Sequence, residues 1–207
     1  NLHEQEAKKE EENERLKSEL SFLRSQISPH FMFNVLNSIV SLSRRKPESV
    51  EPVIIKLSEL MRYMIYETND SIVPISKELV YLESYIDLQK IRFGEDIKID
   101  FRHELGPKSS HIEPMLLIPF VENAVKHGVG LVNKPFIHID LEFTNQGLHF
   151  QVKNKKGKEE QVFKDPSSGI GLKNVKRRLE LLYPEKHQLT IQEDELNFSV
   201  DLTLTLK

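Results

Sequence analysis

The spacing of apolar residues changes partway along the chain, and this change limits the possible folds more than any other feature. From Leu16 to about residue 70, apolar residues recur at every third or fourth position, as on the buried face of a helix. From Ile97 onward they alternate with polar residues in short runs, as in strands that are buried on one side. This order predicts an α+β fold with two domains, residues 1–70 and residues 71–207.

The first domain is expected to be a helical hairpin behind a coiled-coil connector. Residues 3–14 are mostly Glu and Lys, which is typical of the upstream end of such a connector. Apolar residues then recur at helical spacing at Leu16, Leu20, Leu23 and Ile27. This helix is expected to end at about Arg45, and a second one to run from Val50 to about Tyr66. A lone hairpin would expose its apolar faces, so we expect a homodimer with a four-helix bundle.

The second domain is expected to be an α/β sandwich. Ser76 is predicted to cap a helix that runs to about Phe93. Strand-like alternation follows in the runs 97–101, 137–143, 148–152, 189–192 and 198–206. Helical segments are predicted between these strands at about 114–128 and 171–183.

Composition excludes several classes of function. With 29 basic and 32 acidic residues, the net charge of −3 gives no field that would attract nucleic acid or anionic lipid. The absence of cysteine excludes disulfides, thiolate metal sites and cysteine nucleophiles. The longest apolar run, Met115 to Val121, is far shorter than the roughly 20 residues of a membrane span, so we expect a soluble fragment. Because the chain begins at Asn1 without a methionine, we expect it to be part of a longer protein.

One histidine follows a proline inside the apolar pattern of the first helix. His30 occupies the next position of the apolar stripe after Ile27, and Pro29 is expected to bend the helix there. A lone histidine on such a face is more often structural than chemical. The interpretation of His30 therefore depends on whether a second polar motif exists.

A second motif lies on the predicted helix around residues 119–128. Glu122 and Lys126, and likewise Asn123 and His127, are four residues apart and therefore neighbours on the helix surface. An amide oxygen suits a hard divalent cation, and an ammonium group suits a phosphate. The alternative is an ordinary amphipathic helix.

A third motif leads into the last predicted helix. Gly169 and Gly171 would let the backbone approach a phosphate closely, and a helix N-terminus offers unpaired amide donors to an anion. The preceding segment, Lys153 to Ser168, is charged and lacks apolar periodicity, which is typical of a mobile lid. The alternative is a long connecting loop.

The three motifs in this order resemble the LytS/YehU-type sensor histidine kinases. The matching segments are Gln26 to Asn34, Glu122 to Gly128 and Gly169 to Val175, which together span nearly the whole chain. The resemblance implies a dimerising hairpin with His30 as the phosphoacceptor, followed by a GHKL-type ATP-binding sandwich. It also implies ATP as substrate and Mg²⁺ as cofactor.

The resemblance also implies roles for individual residues. Asn123 would help to hold Mg²⁺, and Lys126 and His127 would lie near the phosphates. Glu122 is a candidate for polar assistance in the nucleotide site. Gly169 and Gly171, with Leu172 and Asn174 of the same motif, would form the phosphate-facing turn at the end of the ATP lid.

Two features depart from other histidine kinases. Many of them carry an acidic residue directly after the phosphoacceptor, whereas Phe31 follows here. Asn34, one turn away, could orient the imidazole but is no proton acceptor, so we assign no general base. GHKL-type domains also carry Asp-x-Gly at the end of a strand for adenine recognition, and Asn154 stands at that place. Its amide oxygen could still accept a hydrogen bond, although without charge.

The expected function is autophosphorylation of His30 and transfer of the phosphoryl group to an aspartate of a response regulator. By resemblance that partner would have a LytTR-type output, and this chain would not touch nucleic acid itself. The parent protein would be anchored in the membrane upstream, with this portion on the cytoplasmic side. One alternative is a non-catalytic dimeric signalling module with a degraded nucleotide site. Another is a GHKL ATPase that acts on a different partner, with His30 structural.

Overall fold

The structure is a computed structural model that describes residues 8–13, 15–19, 29–67, 72–107, 109–129, 132–144, 147–157 and 170–206. Helices come first and a mixed sheet with further helices follows, so the predicted α+β fold is confirmed. In this part of the chain, no helix combines the length and the apolar character that crossing a membrane requires.

The N-terminal part consists of helices. Residues 8–13 and 15–19 are helical, and helix α1 spans Pro29–Arg45. A 3₁₀ turn at Pro47–Ser49 leads into helix α2, Val50–Tyr66, whose bounds are those that the apolar stripe predicts. Residues 20–28 lie outside the described part of the chain, so the bend expected at Pro29 stays a prediction.

The rest of the chain contributes three helices and seven strands. The helices are α3 (Ile75–Phe93), α4 (Ile118–Gly128) and α5 (Ile170–Leu182). The strands are β1 (Val73–Pro74), β2 (Lys98–His103), β3 (His111–Ile112), β4 (Phe136–Thr144), β5 (Gly147–Lys155), β6 (His187–Glu193) and β7 (Asn197–Leu204).

Several boundaries differ from the sequence-based expectations, and strands β2 and β6 also extend beyond the runs predicted for them. Pro74, not Ser76, is the N-cap residue of α3, and no side chain caps this helix. Helix α4 begins four residues later than predicted, because Met115 takes a left-handed backbone conformation with φ of 57°. Lys153 belongs to strand β5 and not to a loop, because the alternating residues Val152 and Asn154 point into the core.

The sheet has the strand order β2-β4-β5-β7-β6, in which β2 and β4 are parallel and all other neighbours are antiparallel. Its register places Ile139 opposite Val152 and Val152 opposite Val200, so one face is apolar. Helix α4 packs on this face, where the rings of Phe120 and Phe150 lie 6.3 Å apart. The core of the domain therefore fixes the position of α4 over β4 and β5.

The helical hairpin packs on α3 through aromatic contacts. Phe31 of α1 lies against Tyr85 with ring centroids 4.6 Å apart, and Tyr63 of α2 stacks on Tyr81 at the same separation. All four rings are buried. Both the hairpin and the rest of the fold thus pack against helix α3.

Candidate functional site

Helix α4 presents the second sequence motif on one side and the core on the other. Its apolar residues Phe120, Val121, Ala124 and Val125 are buried. The intervening Glu122, Asn123 and His127 are half-buried, and Lys126 is exposed. The helix therefore brings these four polar residues together beside the sheet, as their spacing predicts.

Asn154 lies near the end of β5, with 0% of its surface exposed. Its Nδ2 donates a hydrogen bond to the carbonyl oxygen of Lys155 at 2.9 Å, which fixes the amide orientation. No donor among the described residues reaches its Oδ1. A buried acceptor without a donor is costly, so this oxygen fits a ligand that brings an N–H group, such as the amino group of adenine.

Gly128 holds the end of α4 close to Asn154. A Cβ at Gly128 would lie 3.1 Å from the Cβ of Asn154 and 3.2 Å from its Nδ2. Any larger residue would push helix and strand apart, because such a contact is tighter than ordinary van der Waals packing. The structure therefore places the C-terminal end of α4 directly beside Asn154.

The third motif is only partly described. Gly169 and residues 158–168 lie outside the described residues, so the turn and the lid stay predictions. In α5, Leu172 packs against the core and Asn174 is half-buried. Nothing in the described chain lies within 4 Å of the position that a Cβ at Gly171 would take.

Burial changes the charge states of two groups on α4. Burial raises the pKa of Glu122 to about 7. Burial lowers the pKa of His127, an effect that Lys126 strengthens and Glu193 opposes. His127 is therefore neutral near pH 7, which leaves Lys126 as the cationic side chain on this face of α4.

Glu122 gives a testable dependence of stability on pH. Because the fold raises its pKa from 4.5 to about 7, the folded chain holds this proton more tightly than the unfolded chain does. The contribution of Glu122 to stability is therefore greatest below pH 4.5 and is lost as pH rises from 4.5 through about 7. We expect Glu122→Gln to become more stable than the wild type by about 3 kcal/mol above the folded pKa.

Urea unfolding of both chains between pH 5 and pH 8 measures this difference. Glu59→Gln, an exposed position on α2, is the control and should show no such growth with pH. A constant difference between wild type and Glu122→Gln would contradict the raised pKa.

A buried polar network around Glu78 connects α2, α3 and the segment before α4. Glu78 is fully buried, and its carboxylate accepts hydrogen bonds from Tyr63 Oη at 2.6 Å and from the amides of Met115 at 2.9 Å and Leu117 at 3.3 Å. Burial raises the pKa of Glu78, whereas these hydrogen bonds and the charge of Arg178 lower it. Burial and then the Glu78 charge raise the pKa of Tyr63, which therefore stays a hydrogen-bond donor.

Arg178 of α5 holds the segment before α4 from the other side. Its guanidinium donates to the carbonyl oxygens of Met115 at 2.8 Å and Pro114 at 2.7 Å, and lies 3.5 Å from the carboxylate of Glu113. The sequence reasoning missed Arg178. Its place among Val175, Leu179 and Leu182, at the spacing of a buried stripe, is the signal that could have identified it.

The segment that contains His30 contacts α3 through the residue next to this histidine. His30 lies in the first turn of α1, and the next residue, Phe31, packs on Tyr85. Asn34 is half-buried, and its carbonyl oxygen accepts a hydrogen bond from Ser38 at 3.0 Å. Burial, and then the nearby Glu122 carboxylate, raise the pKa of Tyr85. Tyr85 thus lies near both Phe31 and the polar face of α4.

The arrangement suits a nucleotide better than a protein-held metal centre. Across the described residues, no group of three or more His, Asp or Glu side chains is placed to hold a metal ion. A divalent cation here would need phosphate oxygens as further ligands beside the amide oxygen of Asn123. The Oδ1 of Asn154, which has no donor among the described residues, suits the base of the same ligand.

Comparisons with known proteins show which proteins this chain is similar to. Residues 18–97 match the family model described as histidine kinase. The sensor protein LytS of Oceanobacillus iheyensis is 30% identical over 195 residues, which cover 88% of this chain and 33% of that protein. The sensor histidine kinase YpdA of Escherichia coli is 35% identical over 182 residues, which cover 82% and 31%.

A solved structure shows the same fold. The histidine kinase domain from the blue-light activated histidine kinase of Erythrobacter litoralis EL346 has a TM-score of 0.51 at 15% identity, covering 93% of this chain and 95% of that one. The chain spans about a third of the length of the curated relatives that it matches.

Proposed function

Because this chain belongs to the LytS-type sensor histidine kinases, we propose that it transfers the γ-phosphoryl group of ATP to His30. The phosphoryl group then passes to an aspartate of a response regulator. The observation that carries the proposal is the buried Oδ1 of Asn154 beside the end of α4, which no donor among the described residues reaches. It supports the proposal at the place where the usual aspartate is missing, because a neutral amide oriented by the carbonyl oxygen of Lys155 could accept the adenine amino hydrogen.

The residues of α4 are assigned to the phosphate side of the nucleotide. Asn123 would be a ligand of Mg²⁺ and Lys126 a counter-charge for the phosphates, with His127 nearby as a neutral hydrogen-bonding group. Bound Mg²⁺ neutralises the charge that develops on the phosphate oxygens. Gly169, Gly171, Leu172 and Asn174 would close the phosphate side, and Glu122 would assist within the site.

His30 supplies the nucleophile. The lone pair of its neutral ring nitrogen forms the new bond to phosphorus, while the bond from phosphorus to the bridging oxygen of ADP breaks. Neutral imidazole needs little activation near pH 7, so the position of the ring matters most. Phe31 anchors this segment on Tyr85, and Asn34 would orient the ring.

The outer face of the hairpin supports a homodimer. Phe33, Leu36 and Val40 of α1 are spaced by three and four residues and remain 47–65% exposed. Ile54, Met61 and Ile65 form a similar exposed stripe on α2. Pairing these faces between two copies would bury them in a four-helix bundle. We assign residues 1–70 to this dimerising and phosphotransfer unit and residues 71–207 to the ATP-binding unit.

Membership in the family supports a proposed signalling partner and a proposed location in the cell. Sensor kinases signal to response regulators, and we propose a LytTR-type regulator, so any contact with nucleic acid belongs to that partner. The relatives are named as sensors and are about three times longer than this chain. We therefore infer a sensor and a membrane anchor elsewhere in the parent protein, with this portion on the cytoplasmic side.

Incubation of the purified chain with Mg²⁺ and ATP labelled at the γ-phosphate tests this function. We expect label on the protein that acid removes and base does not, since a phosphorus–nitrogen bond has this stability. ATP labelled at the α-phosphate is the control and should leave no label. Nucleotide hydrolysis without such label would favour the ATPase alternative, and absence of both nucleotide binding and label would favour the non-catalytic module.

Asn154 gives a separate prediction about affinity. We expect Asn154→Ala to raise the dissociation constant of a fluorescent ATP analogue about tenfold, because the adenine loses one buried hydrogen bond. Asn133→Ala, at an exposed position, is the control and should bind as the wild type does. An unchanged dissociation constant in Asn154→Ala would reject the adenine role.

A further inference from the structure

The geometry points to Tyr63 as a positioning residue that links the helical hairpin to the start of α4. Its hydroxyl binds the same carboxylate that fixes the backbone in front of that helix. The inference rests on the proposed function, because it takes α4 to be one wall of the nucleotide site.

The Glu78 carboxylate joins three parts of the chain. Its Oε2 accepts from Tyr63 Oη at 2.6 Å and from the Met115 amide at 2.9 Å, and its Oε1 accepts from the Leu117 amide at 3.3 Å. Tyr63 belongs to the hairpin, Glu78 to the first turn of α3, and both amides to the segment before α4. A displacement of the Tyr63 hydroxyl would therefore disturb the Glu78 carboxylate, which binds the segment before α4.

The segment before α4 is held in a conformation that depends on these contacts. Leu117 is the N-cap residue of α4, and Met115 has a φ of 57°, which a residue with a side chain rarely adopts. Such a conformation persists only where the surroundings impose it. Glu78 accepts a hydrogen bond from the backbone N–H of Met115, and Arg178 donates one to the backbone carbonyl oxygen of Met115. Both peptide groups that flank this residue are therefore held in place.

The hydroxyl of Tyr63 can be separated from its ring. The ring is buried and stacked on Tyr81 with an interplanar angle of 25°, so a phenylalanine would keep this packing. Only the hydrogen bond to a buried carboxylate would be lost, and such bonds are stronger than those between neutral groups. The coupling must be reciprocal, since a hairpin that biases α4 is itself biased by whatever binds at α4.

Tyr63→Phe tests the link, with Tyr66→Phe as the matched control because Tyr66 lies three residues further along α2 and is 68% exposed. Two quantities are measured on the full chain: the hydrogen-exchange rates of the Met115 and Leu117 amides, and the dissociation constant of a fluorescent ATP analogue. We expect Tyr63→Phe to speed exchange at both amides and to weaken binding, each by up to about tenfold. Tyr66→Phe should change neither.

Several results would overturn the inference. Unchanged exchange in Tyr63→Phe would show that the hydroxyl does not hold the segment, and faster exchange with unchanged nucleotide affinity would show that the segment does not position the site. Uniformly faster exchange throughout the sheet would indicate a loss of global stability only. If Tyr63→Phe does not fold, the reciprocal measurement on the wild type replaces it: binding of the ATP analogue should slow hydrogen exchange in α2 around Tyr63, and unchanged rates there would overturn the inference.

The test separates this inference from the proposed function. A wild-type chain that binds no nucleotide would refute the proposed function, and the exchange rates of Met115 and Leu117 would then still decide whether Tyr63 holds the start of α4. Conversely, normal labelling of His30 in Tyr63→Phe, with wild-type exchange and affinity, would refute the link alone.

Discussion

His30→Gln is expected to take up no phosphate from ATP labelled at the γ-position, while the wild type takes up label that acid removes. Glutamine approximates the size and polarity of histidine, but its amide nitrogen has no lone pair available for attack on phosphorus. Nucleotide affinity should not change, because the variant leaves Asn154 and the polar face of α4 intact. Labelling and nucleotide binding are measured on the same preparation.

His149→Gln is the matched control for this experiment. His149 lies on β5, where its Nε2 is 3.1 Å from the carboxylate of Asp201, and it takes no part in the proposed site. We expect this variant to be labelled like the wild type. Label that persists on His30→Gln, or that disappears equally from both variants, would refute His30 as the phosphoacceptor.

Arg178→Met is expected to lower the free energy of unfolding by about 3–5 kcal/mol, as is typical when one partner of a buried charged network is removed. The side chain is 2% exposed, so methionine would fill much of its volume. It would nevertheless withdraw the donors from the buried carbonyl oxygens of Pro114 and Met115 and the positive charge from beside Glu113. Urea unfolding followed by circular dichroism measures the loss.

The neighbouring arginine provides the control. Arg177 lies on the exposed side of α5, where it pairs with Glu19 at 2.8 Å and with Glu180 at 3.6 Å. Water solvates these charges when the pair is broken, so Arg177→Met should unfold almost as the wild type does. Equal destabilisation by both variants would show that the network around Arg178 does not contribute as argued.

Regular apolar spacing made most of the architecture predictable. Helix α2 was predicted with its observed bounds, because Val53, Leu57 and Leu60 form an uninterrupted stripe and the chain turns at Pro47–Ser49. Strand β5 was predicted too short, because Lys153 and Lys155 resemble a loop and the buried residue between them is polar. Periodicity shows which side chains face the core only when the buried residues are apolar.

The contacts around Glu78 could not be predicted in the same way. Its partners Tyr63 and Met115 lie 15 and 37 residues away along the chain, and no local pattern specifies such contacts. A methionine gives no indication of a left-handed backbone either, since that conformation is imposed by the surrounding hydrogen bonds. The sequence therefore did not indicate what the Glu78 carboxylate binds.

The complete burial of Asn154 has a consequence for the rate at which a nucleotide associates. A ligand can reach its Oδ1 only after the covering atoms have moved aside, because this oxygen has no contact with solvent. The apparent affinity is then the intrinsic affinity multiplied by the fraction of molecules that are open. Opening, and not diffusion, would limit association at high nucleotide concentration. Under the proposed function, a change in how often the site opens would change the rate of nucleotide binding without any change at the residues assigned to the phosphates.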